Sequence, residues 1–237
     1  MSETLASMRR LASEKALPHI ESGMIVGLGS GSTVADSFLP LLVERVRSGA
    51  IRDVSFVPSS HQIEYRALEF GLKLVSFNQV DYVDVTVDGA DLVEKESLTA
   101  IKGGGGALLL EKVLSSISRK VVLIVDERKL VEKIPPGYPI PVEVLKHIVL
   151  LVKKRVEKNL GVDVKIRMGT GKVGPVITDA GNAIIDVPLP GDYSPEKLDG
   201  FLKSIPGVLD NGIFKDLVNI VYVGTSSGVL ELERRKK

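Results

Sequence analysis

Short β-branched apolar runs alternate with helix-length amphipathic stretches between Met24 and Glu127. This alternation is typical of a parallel sheet covered by helices, because parallel strands need a long crossover connection that is usually a helix. The pattern predicts strands at 24–28, 54–57, 73–76, 82–87 and 120–125, and helices at 3–16, 33–47, 60–71 and 105–118. We therefore expect an α/β domain with a Rossmann-like parallel sheet and helices on both faces.

Pro40 lies inside the predicted helix 33–47. Proline has no backbone N–H, and its ring collides with the carbonyl group four residues earlier. We therefore expect this helix to be either kinked or split at the proline.

The stretch 134–139 is rich in proline, which predicts a boundary between two domains. The order of predicted elements changes after it. The predicted elements beyond it are a strand at 141–145, a helix at 146–159, strands at 162–168 and 183–187, a helix at 194–204 and a strand at 208–214. This β-α-β-β-α-β order is that of a small ferredoxin-like α+β domain. A hairpin turn at 179–182 predicts an extra strand at 176–178.

The strand predicted at 220–224 is expected to rejoin the first sheet. The predicted division therefore has two parts. Residues 1–136 and 215–237 form the Rossmann-like catalytic domain, and 137–214 form the ferredoxin-like domain.

Composition excludes several classes of protein. The 31 Lys and Arg residues nearly equal the 30 Asp and Glu residues, so no bulk positive field exists to gather nucleic acid or anionic lipid. The chain has no cysteine, which excludes disulfides, thiolate nucleophiles and Cys-ligated metal. No run approaches the roughly 18 to 20 apolar residues of a spanning helix, and 1–10 lack the apolar stretch of a signal peptide. We expect a cytoplasmic protein with no nucleic-acid or membrane partner.

A glycine-rich segment, G-L-G-S-G-S-T at 27–33, follows the first strand and precedes a helix. Bare backbone and the free N–H groups of a helix start favour an anion, so Ser30 to Thr33 are candidates for binding phosphate. A dinucleotide fingerprint is disfavoured, because Ser32 stands where its third glycine belongs and no acidic residue ends the second strand. A P-loop fails as well, since no G-K-[ST] closes the run. The structural alternative is a tight capped turn.

The motif D-G-A-D at 88–91 follows an apolar strand. Asp88 and Asp91 are therefore expected at the carboxyl edge of the sheet, on the same side as the glycine-rich segment. Two carboxylates so close shift each other's pKa, which suits acid–base chemistry. Asp and Gly are also preferred in turns for backbone reasons, so the motif taken alone favours a structural role.

Four consecutive glycines at 103–106 precede a predicted helix. Such a run carries a large ordering cost that is hard to justify unless a ligand needs bare backbone. Lys102 offers a cation to an oxyanion or phosphate, and Glu111 lies one to two turns into the helix, able to face the loop. For an isolated Glu, an exposed helix charge is the more common role.

A charged cluster, D-E-R-K at 126–129, ends the strand at 120–125. Lys129 is a candidate for a second positive charge at a bound anion, although a solvated charge run is the more common meaning. His19, His61 and His147 have no metal-ligand spacing, so we expect structural or surface roles for them.

In their order along the chain, three motifs resemble ribose-5-phosphate isomerase of the A type: G-S-G-S-T (29–33), D-G-A-D (88–91) and I-K-G-G-G-G-A (101–107) with E-K (111–112). The resemblance extends through P-I-P-V-E-V (139–144), G-N-A-I-I-D-V (181–187), I-P-G-V (205–208) and G-T (224–225). Together, at family-like spacing, these motifs are specific. Two positions depart from the family pattern: Leu92, where an acidic residue is usual, and Arg128, where a small residue is common.

The resemblance implies an aldose–ketose isomerase of the non-oxidative pentose phosphate pathway. Such an enzyme interconverts D-ribose 5-phosphate and D-ribulose 5-phosphate through a cis-enediolate. Carried over to this sequence, Glu111 is the catalytic base, and Asp88, Asp91 and Lys102 line the reacting end. The implied substrate-binding residues are Ser30, Gly31, Ser32, Thr33, Asp88, Gly89, Ala90, Asp91, Lys102, Gly103, Gly104, Gly105 and Lys129.

Neither a metal nor an organic cofactor is implied. The implied assembly is a homodimer or homotetramer, with the ferredoxin-like domain as the contact.

That reaction matches what these residues offer. A free carboxylate of normal acidity, with a pKa of about 4.3 for Glu, is ionised at neutral pH, and we expect Glu111 to be such a base. Lys102 and the N–H groups of 103–105 are candidates for stabilising the enediolate oxygen. Because the sugar arrives mostly as a closed ring, Asp88 and Asp91 are candidates for opening it.

Two other function classes share the anion-binding loop. A sugar-phosphate-sensing module of the kind attached to some bacterial repressors needs a DNA-binding helix-turn-helix, and the segment before Met24 is too short to hold one. Hydrolysis of a sugar-phosphate lactone or deamination of an amino sugar phosphate usually depends on a histidine. None lies in the glycine-rich, D-G-A-D or four-glycine segments.

Overall fold

The computed structural model describes residues 3–171 and 173–234, so the predicted domain ends 1–2 and 235–237 lie outside the described residues. The helices are α1 (Glu3–Ala16), α2 (Gly31–Thr33), α3 (Leu39–Arg47), α4 (His61–Glu69), α5 (Leu108–Ser116), α6 (Val149–Leu160) and α7 (Pro195–Lys203). The strands are β1 (Ile25–Leu28), β2 (Ser55–Pro58), β3 (Val85–Asp88), β4 (Leu92–Glu94), β5 (Ala100–Ile101), β6 (Val121–Asp126), β7 (Leu130–Val131), β8 (Pro139–Val144), β9 (Lys165–Ile166), β10 (Ala183–Pro188), β11 (Val208–Asn211), β12 (Ile213–Phe214), β13 (Ile220–Thr225) and β14 (Gly228–Glu233). The α/β class predicted from the sequence is confirmed.

The largest sheet has the strand order β14-β13-β6-β3-β1-β2. All of its strands except β14 run parallel, and β13 rejoins the sheet beside β6, as predicted. The chain leaves β1 toward β2 on one side and later returns to β3 on the other. In open α/β sheets such a reversal leaves a crevice at the carboxyl ends of the strands, where ligands bind.

Both faces of this sheet are covered, because successive side chains of each strand point to opposite faces. Val122 and Ile124 of β6 belong to a core with α1, α3 and α4. Leu123 and Val125 belong to a second core with β4 and β12 on the other face. Because both of its faces are buried, β6 has apolar residues at five consecutive positions, 121–125.

The helix predicted at 33–47 is not split at Pro40. A π-helical turn over Val34–Phe38 joins α2 to α3, and the N–H of Leu39 donates to the carbonyl of Val34, five residues back. Pro40 has no N–H for a regular helix and its ring crowds the carbonyl four residues earlier. The wider turn directly before the proline relieves that crowding and lets the helix continue.

The strand predicted at 73–76 is wrong. Leu74 forms only an isolated bridge to Phe56 of β2, with flanking backbone hydrogen bonds from Phe56 to Lys73 and from Val75 to Phe56. The segment touches β2 at a single position before it turns into a short 3₁₀ helix at Phe77–Gln79. β2 is therefore the edge strand of the large sheet.

A second sheet has the antiparallel order β11-β8-β10-β9. Side chains of α6 and α7 pack on it in a core of their own with β8 and β10. The extra strand predicted at 176–178 is wrong, since Ile177 makes only an isolated bridge to Ala183. The hairpin turn is present, because the N–H of Thr178 donates to the carbonyl of Asn182 at 2.8 Å.

A third sheet, β12-β5-β4-β7, was not predicted. Its strands are two or three residues long, which is too short for an alternation of polar and apolar residues to be read. Within the ranges described above, no helix combines the length and the apolar character needed to cross a membrane.

Candidate active site

The segments that follow β1 and β3 meet at the carboxyl edge of the large sheet, together with the four-glycine run before α5. A cavity of about 470 Å³ opens there, a size that suits a small ligand. Of the predicted site residues, it is lined by Ser30, Gly31, Ser32, Thr33, Gly89, Ala90, Asp91, Lys102, Gly103, Gly104, Gly105, Glu111 and Lys129. Segments distant in sequence thus share one wall.

Asp88 lies behind this wall. Its side chain is buried, and its Oδ1 accepts hydrogen bonds from the backbone N–H groups of Ser30 at 3.2 Å and Gly89 at 2.7 Å. Gly29 makes the approach possible, because a Cβ at that position would lie 2.0 Å from Asp88 Oδ1. The structure therefore places Asp88 where it orders the glycine-rich loop, and not in the cavity wall.

Lys102 is buried between two carboxylates. Its Nζ lies 3.0 Å from Asp88 Oδ2 and 3.2 Å from Glu111 Oε2, and it donates to the carbonyl of Gly89 at 2.7 Å. Burial alone would lower the pKa of Lys102, but the negative charges of Asp88 and Glu111 outweigh burial and raise it. The ammonium group therefore stays charged and faces the cavity with Glu111.

Glu111 does not have the ordinary acidity expected from the sequence. Burial raises its pKa to about 8, because the lost hydration outweighs the attraction of Lys102, and the charge of Asp88 adds to the rise. Burial also raises the pKa of Asp88. The two acids interact through one lysine, so they titrate as a pair. The alternative of an exposed helix charge is excluded, since Glu111 is 5% exposed.

Two carboxylate oxygens beside Lys102 retain hydrogen-bonding capacity. Glu111 Oε2 and Asp88 Oδ2 are buried, and neither accepts an aligned hydrogen bond from the described part of the chain. Both lie within ion-pair distance of Lys102 Nζ. Glu111 lines the cavity, so its carboxylate faces a bound ligand while Oε2 stays paired with Lys102.

The four-glycine run brings bare backbone against Asp91. The N–H of Gly104 donates to Asp91 Oδ2 at 2.6 Å, and a Cβ at Gly104 would lie 2.7 Å from Asp91 Oδ1. Gly103 has a φ of +100°, a conformation that favours glycine. A Cβ there would also lie 2.8 Å from the Leu108 side chain. Gly103 and Gly104 are thus required by close approach, and Gly103 by backbone geometry as well.

The glycine-rich loop after β1 is tied to the start of α4. Ser30 Oγ lies 2.7 Å from the hydroxyl groups of both Ser59 and Ser60. The N–H of Gly31 donates to Gln62 Oε1 at 2.9 Å. An anion that takes this N–H must therefore displace the Gln62 side chain.

Lys129 reaches the cavity from the end of β6. Its Nζ donates to the carbonyl of Ala90 at 2.6 Å, and burial lowers the pKa of its ammonium group. Arg128 turns away and pairs with Asp126 at 2.8 Å, outside the cavity wall. Leu92 is buried in β4. Neither family departure therefore adds a group to the cavity.

Sequence reasoning missed two contributions to this region. Arg9 of α1 donates to Ser32 Oγ at 3.2 Å and lies 3.4 Å from Asp126 Oδ2. Its place on the buried face of α1, in register with Ala12 and Ala16, was the signal that could have identified it. The second contribution is the turn 176–179, which lines the cavity, and Asp179 Oδ2 accepts the N–H of His61 at 2.8 Å.

Side chains of His, Asp and Glu are the ones that could hold a metal ion in this protein. Within residues 3–171 and 173–234, no three of them are grouped so that they could hold an ion.

Comparison with known proteins assigns the chain to one group. The sequence pattern of the family described as Ribose 5-phosphate isomerase A (phosphoriboisomerase A) matches residues 55–228. A protein of Pyrococcus abyssi named Ribose-5-phosphate isomerase A is 42% identical over 230 residues, which cover 97% of this chain and 99% of that protein. The protein of that name from Prochlorococcus marinus is 41% identical over 218 residues, covering 92% and 93% of the two chains.

Solved structures agree with the sequence comparison. A D-ribose-5-phosphate isomerase in complex with phospho-erythronic acid superposes with a TM-score of 0.91 at 41% identity and covers 97% of this chain and 99% of its own. Ribose 5-phosphate isomerase from Plasmodium falciparum superposes with a TM-score of 0.90 at 30% identity, covering 98% and 100%. The similarity therefore extends over all three sheets.

Proposed function

This chain belongs to the ribose 5-phosphate isomerase A family, and from that premise we propose that it interconverts D-ribose 5-phosphate and D-ribulose 5-phosphate. It is an aldose–ketose isomerase of the pentose phosphate pathway. The observation that supports the chemistry best is the contact of 3.2 Å between Glu111 Oε2 and Lys102 Nζ at the wall of one cavity. A base and a fixed cation lie side by side there, as a proton transfer through an anionic intermediate requires.

Glu111 is the base. It removes the proton from C2 of the open-chain aldose and returns it to C1, which forms and then consumes the cis-enediolate. The ionised form is the base. Its raised pKa makes this form a stronger base than an exposed glutamate and makes it the smaller fraction at neutral pH. Glu111 lines the cavity, so its carboxylate is within reach of the C2 proton while Lys102 stays beside it.

Lys102 stabilises the oxygen on which the enediolate charge develops. The ammonium group is held in place by Asp88 and by the carbonyl of Gly89, so little reorganisation is needed during the reaction. The N–H of Gly105 supplies a further donor, whereas those of Gly104 and Gly106 already donate to Asp91 and to the carbonyl of Gly103. Asp88 acts through Lys102 and through the loop at Ser30, because it does not line the cavity.

Asp91 is the carboxylate placed to open the sugar ring and to move the hydroxyl proton between O1 and O2. It lines the cavity, in contrast to Asp88, and the N–H of Gly104 fixes one of its oxygens. This division assigns to Asp91 the ring-opening role for which both aspartates were candidates.

The phosphate group binds at the segment Ser30 to Thr33. Lys129 lines the same cavity, and Arg9 contacts Ser32 from α1, so two cations border this segment. An incoming phosphate replaces Gln62 at the N–H of Gly31. Cations and free N–H groups are the usual partners of a phosphate.

We also propose the finer architecture. Residues 1–136 and 215–237 make a Rossmann-like catalytic domain, supported by the parallel sheet with α1, α3 and α4 on one face and α5 with the third sheet on the other. Residues 137–214 make a ferredoxin-like domain, supported by the order β11-β8-β10-β9, in which the four consecutive strands stand as 4-1-3-2. The enzyme is a cytoplasmic homodimer or homotetramer whose contact is the second domain, where Leu150 and Leu151 are 60% and 66% exposed.

The test is incubation of the purified chain with ribose 5-phosphate in buffer containing a chelator, with ketose formation followed over time. Conversion to ribulose 5-phosphate without added metal or cofactor is the expected result. Parallel incubations with a sugar-phosphate lactone and with an amino sugar phosphate measure acid and ammonia release. Turnover in either of these, with no ketose from ribose 5-phosphate, would refute the proposed function.

A further inference from the structure

Arg167 connects the second sheet to the four-glycine run. Its Nη1 donates to the carbonyl of Gly103 at 2.6 Å and to the carbonyl of Gly104 at 3.1 Å. The other edge of the same guanidinium group pairs with Asp186, with Nε donating to Oδ2 at 3.0 Å and Nη2 to Oδ1. The side chain is 17% exposed, so these hydrogen bonds are shielded from much of the solvent.

The two carbonyl contacts determine where the neighbouring N–H groups point. In a trans peptide the C=O and the following N–H point in opposite directions. The carbonyl of Gly103 points at Arg167, and the N–H of Gly104 accordingly reaches Asp91 on the cavity side at 2.6 Å. By the same geometry the carbonyl of Gly104 directs the N–H of Gly105 away from Arg167.

The N–H of Gly105 is available for a ligand. No acceptor for it occurs among the residues that the structure describes, and Gly105 lines the cavity. Glycine peptides rotate easily, because φ values of both signs are accessible. Without an anchor on the carbonyls, the N–H groups of 104 and 105 would therefore not hold one orientation. Preorganised donors are the ones that stabilise a developing oxyanion.

Asp186 makes the guanidinium group a rigid anchor. The carboxylate is on β10, directly opposite Lys165 of β9 in the register of the second sheet, and Arg167 follows β9. The N–H of Arg167 also donates to the carbonyl of Ile184 at 2.9 Å. A two-point pair of this kind fixes the plane of the guanidinium group as well as its position.

We propose that Arg167 is a positioning residue of the isomerase site: it holds the carbonyls of Gly103 and Gly104 outward so that the N–H groups of Gly104 and Gly105 face the reacting end. This inference rests on the proposed function and extends it, since it assigns the second sheet a direct part in ordering the reaction site. Arg167 does not touch the substrate.

The test compares R167A, R167K and the matched control R155A. Arg155 lies exposed on α6, which packs on the same sheet, and it has no part in the site. Circular dichroism melting establishes folding, and kcat and KM for ribose 5-phosphate are measured with and without added guanidinium at millimolar concentration. R167K keeps the charge but lacks the planar fork of the guanidinium group. If R167A fails to fold, R167K therefore tests the inference in its place.

For R167A we expect kcat to fall by about 10- to 100-fold, below the loss of a direct oxyanion donor, while KM changes by less than about 3-fold. Guanidinium should restore part of kcat in R167A and leave the wild type and R155A unchanged. R167K should give an intermediate kcat that guanidinium does not raise.

Three results would overturn the inference: a kcat of R167A and R167K equal to that of R155A, a loss confined to KM, or a loss of kcat in R167A that guanidinium leaves unrestored. An inactive wild type would instead refute the proposed function itself, so the two failures are distinguishable.

Discussion

Glu111 is buried beside a cation and a second acid, and its substitution tests the proton-transfer step directly. E111Q keeps the size of the side chain but cannot accept the C2 proton. We expect kcat to fall by about 10²- to 10⁴-fold, the range for a positioned general base, with KM changed little because the phosphate contacts remain. Steady-state kinetics with ribose 5-phosphate measure both parameters.

The control for this substitution is E132Q. The Glu132 side chain is 83% exposed, pairs with Lys95 at the surface and does not line the cavity. Its kcat should equal that of the wild type. An E111Q enzyme that retains wild-type turnover would remove Glu111 from its role.

Lys129 is proposed to bind phosphate, so its loss should affect binding more than chemistry. In K129A we expect KM to rise by about 10- to 100-fold, which corresponds to the loss of one charge-assisted hydrogen bond, and kcat to change little. The neighbouring variant R128A removes a cation that pairs with Asp126 outside the cavity, and its KM should stay near the wild-type value. A K129A defect in kcat alone would argue against phosphate binding.

At the scale of single residues, the local sequence predicts which loop or helix a side chain lies near, but not its burial or the distant residues that it contacts. Glu111 was predicted near the glycine loop, and the structure places it in the cavity wall. Its raised pKa could not be predicted, because that shift depends on burial and on Asp88, 23 positions earlier in the chain. Arg9 was missed since its contact with Ser32 joins α1 to a loop across the fold.

The four-glycine run acts as one element, and its members differ in what they tolerate. In G103A the new Cβ would meet Leu108 at 2.8 Å in a backbone with a φ of +100°. We expect a loss of stability of about 1 to 3 kcal/mol, hence a Tm lower by roughly 2 to 12 °C. At Gly105 a Cβ meets nothing within 4 Å, so G105A should keep the wild-type Tm. Equal melting temperatures in the two variants would contradict this account of the loop.

Long elements were predictable because their periodicity repeats. Helix α1 was predicted at 3–16 and observed at Glu3–Ala16, and β6 lies within one residue of its predicted bounds. The third sheet escaped prediction because a strand such as β5 has only two residues, and its pairing with β12 joins positions about 110 residues apart. Its formation depends on tertiary packing and not on local propensity.

At the scale of the whole molecule, exposed leucines in the proposed ferredoxin-like domain, 137–214, support the proposed assembly. Leu150 and Leu151 lie on α6. Leu145, which follows β8, and Leu209 of the neighbouring strand β11 are 42% and 40% exposed. We expect the double variant L150D/L151D to dissociate, because it places charges in an apolar contact. Light scattering coupled to size-exclusion chromatography measures the mass.

The control is L68D on α4. Leu68 is 53% exposed and lies outside 137–214, so this variant should keep the wild-type mass. A wild type that elutes as a monomer would refute the assembly.

The raised pKa of Glu111 also makes the stability of the whole fold depend on pH. In the unfolded chain Glu111 loses its proton near an ordinary pKa of 4.5, whereas the folded protein retains it up to about 8. Between these values the folded state binds more protons than the unfolded state, so the free energy of unfolding falls as pH rises. The contribution is fully present below pH 4.5 and is lost by the time the pH has passed 8.

The measurement is urea unfolding of the wild type and E111Q between pH 5 and 8.5. The wild type should lose stability relative to E111Q as pH rises. One proton sets a limit of about 1.4 kcal/mol per pH unit. The slope should be smaller than that, because Asp88 shares the titration. A difference between the two proteins that stays constant, or that grows in favour of the wild type, would show that the carboxylate is not destabilised by burial. In that case the free energy that makes Glu111 a strong base would have to come from the substrate, and not from the fold that holds it.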